Sequence, residues 1–363
     1  MKIALVGLPS SGKSTLFAAL TGGKGHGIGQ GSAVASRLGV ARVPEPRLQT
    51  LERIFHPRKT IPAEVQYVDT VTGPIESGTR TELPGELLNY LMSADELLHV
   101  VRAFADERVP HPESTVDPVR DIATFDLELT FSDLAIVDRR LRRLGDSLKG
   151  AKGTERDHLQ QEEALLHRVR EGLEHEVPIR KQDISSHELK ELSNYQFLTA
   201  KPVLVVLNID EAQVPDGPAL EGTVHAQYPD FPVVASCAKL ELELQQLSPA
   251  EAEEFREALG LESSSLDTIL RRSFEELGLI TFFTTASDQL QAWNLLRGNT
   301  AVKAAAKVHS DMERGFIRAE VVAFSDIERY GSMAEARRHG VLRSEGRDYV
   351  VQDGDIITFL FNV

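Results

Sequence analysis

Apolar residues change their spacing three times along the 363-residue chain. Residues 3–6 (IALV) and 202–207 (PVLVVL) are continuous apolar runs, which predict buried parallel strands over 2–6 and 202–207. Between 119 and 149 the period lengthens. Leu127, Leu134, Leu141 and Leu148 recur every seven residues, with Val137 and Leu144 between them. The segment KGAKGTE (149–155) interrupts the pattern, and Leu159, Leu166 and Leu173 resume it with Val169. Such stripes on both sides of a short turn predict an antiparallel helical pair whose leucines pack on one another. Ser185 and Glu188 have capping-box spacing and predict the start of the next helix. Beyond residue 280 the apolar residues fall in short runs, LITFFTT, FIRAEVVAF, DYVVQ and IITFLFNV. Helical stretches are expected near 304–306 and 332–340. Strands around one or two helices fit a small α+β domain.

Composition narrows this picture. Apolar residues make up 41% and charged residues 26%, as in a globular protein with a sizeable core. A net charge of -15 excludes a general polyanion binder, so any nucleic-acid contact must come from a local basic face. Arg139, Arg140, Arg142 and Arg143 form one such cluster, readable as a solvated face or as a contact to RNA or an acidic partner. Arg314, Arg318, Arg337, Arg338, Arg343 and Arg347 near the C-terminal end allow the same two readings. Cys237 is the single cysteine, so no internal disulfide can form and a reducing compartment fits. No apolar stretch approaches the ~18 residues of a membrane span, and the N-terminus does not read as a signal peptide. A cytoplasmic protein with no membrane or DNA partner is expected, and no oligomeric state is indicated.

The sharpest chemical signal is GLPSSGKS, residues 7–14, which fits G-x-x-x-x-G-K-[ST] between a strand and a helix expected over 15–21. Backbone N–H groups in the loop from Gly7 to Gly12, which also carries Pro9, Ser10 and Ser11, would cradle phosphates at a helix N-terminus. Lys13 would reach the β- and γ-phosphates, Thr15 would continue the cradle, and the Ser14 hydroxyl would bind Mg²⁺. Asp69 closes the strand AEVQYVD and would hold a metal-bound water. The base site is expected at NIDE, Asn208 to Glu211, where guanine-specific P-loop proteins carry N-K-x-D. Glu211 is one methylene longer than that aspartate, so the short bidentate contact to guanine is lost. Asn208 could still face the adenine edge, which favours ATP. Cys237 and Ala238 would line the base from the next loop, with Cys237 read as a small packed residue rather than a redox switch.

GLPSSGKSTLF, VPEPRL, HVVRAF, VDPVRDI, LTAKPVL, NIDE, KVHSDMERGFIRAEV and EGRDYVVQDGDIITFLFNV together resemble the YchF subfamily of Obg-like ATPases, from end to end of the chain. The resemblance implies an α/β fold. A Ras-like P-loop nucleotide domain (1–125 and 200–279) would carry an inserted antiparallel helical hairpin (126–199). A C-terminal TGS domain of β-grasp, α+β type (280–363) would follow. It also implies ATP preferred over GTP, Mg²⁺, association with ribosomes, and a loop histidine orienting the attacking water, here His111.

Three departures touch the trigger. The family's D-x-x-G reads D-T-V-T here, so Thr72 or the following Gly73 would have to offer the γ-phosphate its N–H. Ser10 stands where the family has asparagine. Ala33, beside Ser32, stands where a threonine should close on Mg²⁺. Two expectations result. The first is a protein that hydrolyses ATP to ADP slowly with Mg²⁺ and acts with ribosomes or RNA in translation or stress regulation, with Lys13 and His111 catalytic. The second is an interaction module that holds ATP or ADP and hydrolyses it weakly or not at all. A GTPase is disfavoured by Glu211.

Overall fold

The computed structural model describes residues 1–28, 35–71, 85–261, 263–286 and 288–362. The chain begins β1 (Lys2–Val6), α1 (Lys13–Thr21), β2 (His26–Ile28), β3 (Ala35–Arg42), α2 (Arg47–Phe55), β4 (Lys59–Ile61) and β5 (Glu64–Val71). Next come α3 (Gly85–Ser93), β6 (Glu96–Arg102), α4 (Pro118–Leu148), α5 (Gly153–Glu174), α6 (Ser186–Leu192), β7 (Val203–Asn208), α7 (Gly217–Gln227) and β8 (Val233–Ser236). Three helices follow, α8 (Ala238–Leu244), α9 (Pro249–Ala258) and α10 (Ser265–Glu276). The remainder is β9 (Leu279–Ala286), β10 (Gln289–Leu296), α11 (Ala301–Val308), α12 (Ser310–Arg314), β11 (Phe316–Ala323), α13 (Phe324–Tyr330), α14 (Met333–Arg338), β12 (Arg343–Glu345) and β13 (Asp355–Phe361). None of the described helices is long and apolar enough to cross a membrane.

Two compact units result, Met1–Gly39 with Gln66–Leu266, and Val40–Val65 with Asp267–Val363. The first is built on a sheet of order β2-β3-β5-β1-β6-β7-β8. From β5 through β1, β6 and β7 to β8 the pairings are parallel, and β2 lies antiparallel to β3. Strands β1, β6 and β7 are almost fully buried, as their unbroken apolar runs require. Their core includes Ala4, Val6, Leu97, Val101, Val205 and Leu207.

Helix α4 starts on a side-chain cap at Asp117. Asp117 accepts the Arg120 N–H at 3.1 Å, and Pro118 occupies the first turn. Its first third inserts Ile122, Phe125 and Leu129 into the core of the nucleotide sheet. Its later part pairs with α5 around Val137, Leu144, Leu165, Leu166, Val169 and Leu173. The deep seam on α4 is therefore Val137 and Leu144, while Leu134 and Leu141 are only half-buried. The reason is a third wall: Ile179, Leu192 and Phe197 close over the pair and move its enclosed side. The capping box at Ser185 forms as expected, with the Glu188 N–H on Ser185 Oγ and the Ser185 N–H on Glu188 Oε2.

The second unit has a sheet of order β12-β11-β13-β9-β10-β4. Ala301, Ala304 and Ala305 of α11 pack against Phe282, Phe316, Val321 and Ile357. Two features escape periodicity. Residues 40–65, expected within the nucleotide domain, group with the C-terminal residues, and β4 pairs in parallel with β10. DYVVQ is not a sheet strand. Its backbone instead closes on the loop before α11, with the Ala301 N–H on Tyr349 O and the Val351 N–H on Asn299 O.

Candidate functional site

Strand β1 lies between β5 and β6, where the strand order reverses, and the loop that follows it sits at the end where such sheets bind ligands. The backbone turns through Gly7 (φ 136°), Ser10 (φ 62°) and Gly12 (φ 93°) before α1. A Cβ on Gly7 would lie 2.3 Å from the Val100 carbonyl oxygen, and one on Gly12 would lie 2.0 Å from Asn208 Nδ2. Both glycines are thus required by close approach as well as by φ. Helix α1 starts at Lys13, two residues earlier than expected, and the Leu16 N–H reaches Gly12 O at 3.0 Å.

Lys13 is buried, and its ammonium donates to Gly7 O (2.9 Å) and Leu8 O (2.8 Å). Burial lowers its pKa to about 8, against the opposing pull of the Asp69 carboxylate. Asp69 is fully buried, and neither of its carboxylate oxygens has a hydrogen-bond partner among the described residues. Ser11 Oγ is buried and unpartnered in the same way, whereas Ser14 is exposed and Pro9 and Thr15 are half-buried. Orphaned buried oxygens are rare in folded proteins and point to a missing ligand. The Ser14 hydroxyl and the free Asp69 carboxylate are the hard oxygen donors that Mg²⁺ takes, together with waters and phosphate. The donor set therefore fits that ion.

The base side is held by Asn208 at the end of β7. Its Nδ2 donates to Ser11 O at 2.9 Å, and its Oδ1 accepts the Ala238 N–H at 3.2 Å. Three segments singled out by sequence are thereby brought together. Through these contacts the Asn208 amide holds the phosphate loop to the base loop, and its second N–H stays available to a base. Glu211 is exposed in the turn that follows, with no partner among the described residues. That turn is fixed by Asp210, which accepts the Ala212 N–H, and by Gln213, which reaches Ala103 O. Cys237 is buried ahead of α8, and burial raises its thiol pKa, as suits a packed residue.

His111 lies on the loop between β6 and α4, and both ring nitrogens are engaged. Nδ1 accepts the Glu113 N–H at 3.1 Å, which leaves Nε2–H to donate to Asp121 Oδ2 at 2.9 Å. Its side chain is 4% exposed. Asp121 also receives the Arg120 guanidinium. The loop is further gathered by Arg102, which donates to Phe104 O, Asp106 O and Val109 O from the end of β6. Thr72, Gly73, Ser32 and Ala33 lie outside the described residues.

Sequence reasoning missed three residues here. Arg102 and His99 were legible only as members of HVVRAF, and Asp121 only as a member of VDPVRDI. His99 is buried on β6 against Phe125, with ring centroids 4.5 Å apart. Burial, and then the charge of Lys13, lower its pKa to about 3. A histidine within a strand pattern gives no sign of lying under a phosphate loop.

Comparison with known proteins agrees with this architecture. A protein of Bacillus subtilis (strain 168) named Ribosome-binding ATPase YchF is 37% identical over 99% of this chain and 98% of its own length. The chain belongs to the YchF family. The YchF relative of Escherichia coli O157:H7, of the same name, is 34% identical over 100% of this chain and 99% of its own. A family model for the YchF C-terminal region, described as a protein of unknown function (DUF933), matches residues 279–362. One described as a 50S ribosome-binding GTPase matches 2–137. The solved Schizosaccharomyces pombe YchF GTPase superposes with a TM-score of 0.85 at 28% identity, covering 99% of this chain and 97% of that one. The expected α/β fold, a P-loop domain followed by a TGS-like C-terminal domain, is therefore that of YchF proteins.

Two YchF signature stretches that are distant in sequence also meet in the second unit. Arg47 of VPEPRL bonds Asp353 of VQDGD (Nη1 to Oδ2, 2.8 Å) and grips Glu45 through Nε and Nη2 at 2.7 Å. Its guanidinium lies 5.4 Å from the Phe283 ring centroid. Asp353 in turn accepts the Thr281 N–H at 2.8 Å.

Proposed function

We propose that this chain binds ATP in preference to GTP, hydrolyses it slowly to ADP with Mg²⁺, and works in the cytoplasm on the ribosome. The observation that carries this reading is the Asn208 staple. It holds a complete phosphate loop against a base loop whose acid is Glu211 rather than aspartate. The names of the Bacillus and Escherichia relatives supply the ribosome and the ATPase activity, and the name of the Schizosaccharomyces protein supplies the competing GTPase assignment.

On this reading Lys13 exchanges the carbonyls of Gly7 and Leu8 for phosphate oxygens when nucleotide enters. Bound Mg²⁺, held by Ser14 and by a water on Asp69, would neutralise charge developing on the β- and γ-phosphates. His111 must release Asp121 or Glu113 before a ring nitrogen can orient water. Calorimetry with ATP and GTP in Mg²⁺, with phosphate release followed with and without ribosomes, tests the proposal. Tight ATP binding with ribosome-stimulated turnover supports it, and GTP preference or absence of binding overturns it.

The engaged state of His111 favours a second reading, a module that holds nucleotide without turning it over. Under that reading Thr72→Gly with Ala33→Thr raises turnover from a near-zero base. Substantial wild-type turnover that the double change leaves unaltered removes it.

A further inference from the structure

We propose that the tip of the α4–α5 hairpin is an RNA-docking surface that grips the phosphodiester backbone of ribosomal RNA. In a chain of net charge -15, residues 139–156 carry seven cationic side chains and two acidic ones. Structure separates those cations by role. Arg140 is consumed in the hairpin itself, pairing with Glu162 across to α5 and touching Tyr195 OH. Lys149 is answered by Asp146. Arg139, Arg142, Arg143, Lys152 and Arg156 are exposed, and none has an ion-pair partner among the described residues. Arg142 reaches only the Asp138 carbonyl of its own helix.

For the two cations at the start of α5, helix stability does not account for the placement. Lys152 is the residue before α5, where it offers no side-chain cap, and Arg156 sits in the first turns. Positive charge there opposes the helix dipole. The support beneath the cations is rigid, since Val137, Leu144, Leu165 and Leu166 are buried in the pair they ride on.

The chemistry of the patch selects its partner. Guanidinium forks match phosphate oxygens in pairs. Protein interfaces are centred on buried aromatic or aliphatic anchors, and residues 139–156 expose no large apolar side chain. They contain no aromatic residue on which a base could stack. The surface therefore suits the backbone of a folded RNA helix, recognised by shape and charge rather than by sequence.

This inference rests on the ribosome-associated reading above, and its test separates the two. Full-length wild type and the triple variant R139Q/R142Q/R143Q are sedimented with ribosomes over a salt series. They are also titrated into protein-free ribosomal RNA. ATP affinity and circular dichroism serve as folding controls. The variant is expected to bind both targets at least about tenfold more weakly. Its log-affinity against log-salt slope is expected to be shallower by about 2–3, because three cations no longer neutralise a phosphate each. ATP affinity and helicity stay as in wild type. Wild type that ignores ribosomes but binds the naked RNA through these arginines sinks the ribosome reading and upholds the surface. Ribosome binding lost in the variant, with no wild-type affinity for naked RNA, assigns the patch to an acidic protein and overturns the proposal. A correctly folded variant that matches wild type in both assays also overturns it. If the glutamine variant misfolds, R139K/R142K/R143K must keep the salt slope and lose affinity, or the proposal fails.

Discussion

Single side chains at the nucleotide site do work that their residue types do not announce. Asn208 joins Ser11 O to the Ala238 N–H through its amide, so it acts on the shape of the pocket. Asn208→Ala leaves a buried carbonyl and a buried N–H unpaired, at about 1–3 kcal/mol each. ATP and GTP binding should weaken by similar factors in calorimetry, whereas Glu211→Asp should move the ATP-to-GTP ratio toward GTP. A change of ratio in Asn208→Ala would mean that its amide does meet the base. His99 gives a pH signature. Its pKa of about 3 lies below the ordinary 6.5, so the unfolded chain takes up the proton first. Its contribution is whole above pH 6.5 and is lost as pH falls toward 3, a swing on the order of a few kcal/mol. Urea midpoints between pH 7 and 4 should fall less steeply for His99→Gln than for wild type. Parallel curves would show that His99 is not held neutral by the fold.

At the scale of elements, α4 belongs to two cores at once. Ile122, Phe125 and Leu129 pack under the nucleotide sheet, and Val137 and Leu144 pack in the hairpin. A boundary placed near residue 126 therefore falls inside a continuous helix. Leu166 is fully buried in the hairpin core, away from the nucleotide loop. Leu166→Ala should cost about 2–5 kcal/mol by lost transfer energy and cavity. Thermal unfolding should report that loss, while ATP affinity stays within about threefold. A tenfold fall in affinity would mean that the hairpin core sets the geometry of the pocket.

Over the whole molecule, short stretches from opposite ends of the chain complete one another's structure. Arg47 is paired with Glu45 and Asp353, and these partners raise its pKa further above its usual value. Arg47→Ala leaves Glu45 and Asp353 without their cation, at a cost of about 1–3 kcal/mol. Limited proteolysis within 40–65 should speed up, and equal cleavage rates would show that the pair is ornamental. The strand–loop–helix of the phosphate site, the paired helices and the Ser185 cap were legible in sequence because each is fixed by residues within a few turns of one another. There, period, glycine and capping chemistry act locally. Element ends were less legible: α1 begins at Lys13 because Gly12 itself turns the chain into the helix. Tertiary structure alone decided that Asn208 staples two loops, that His111 rests on Asp121, that β4 joins the C-terminal sheet and that Val137 rather than Leu134 fills the hairpin. Each of these depends on which distant surface arrives to compete for a donor, an edge or a face. That competition is settled by burial and hydrogen-bond satisfaction over the folded chain, and no local pattern encodes it.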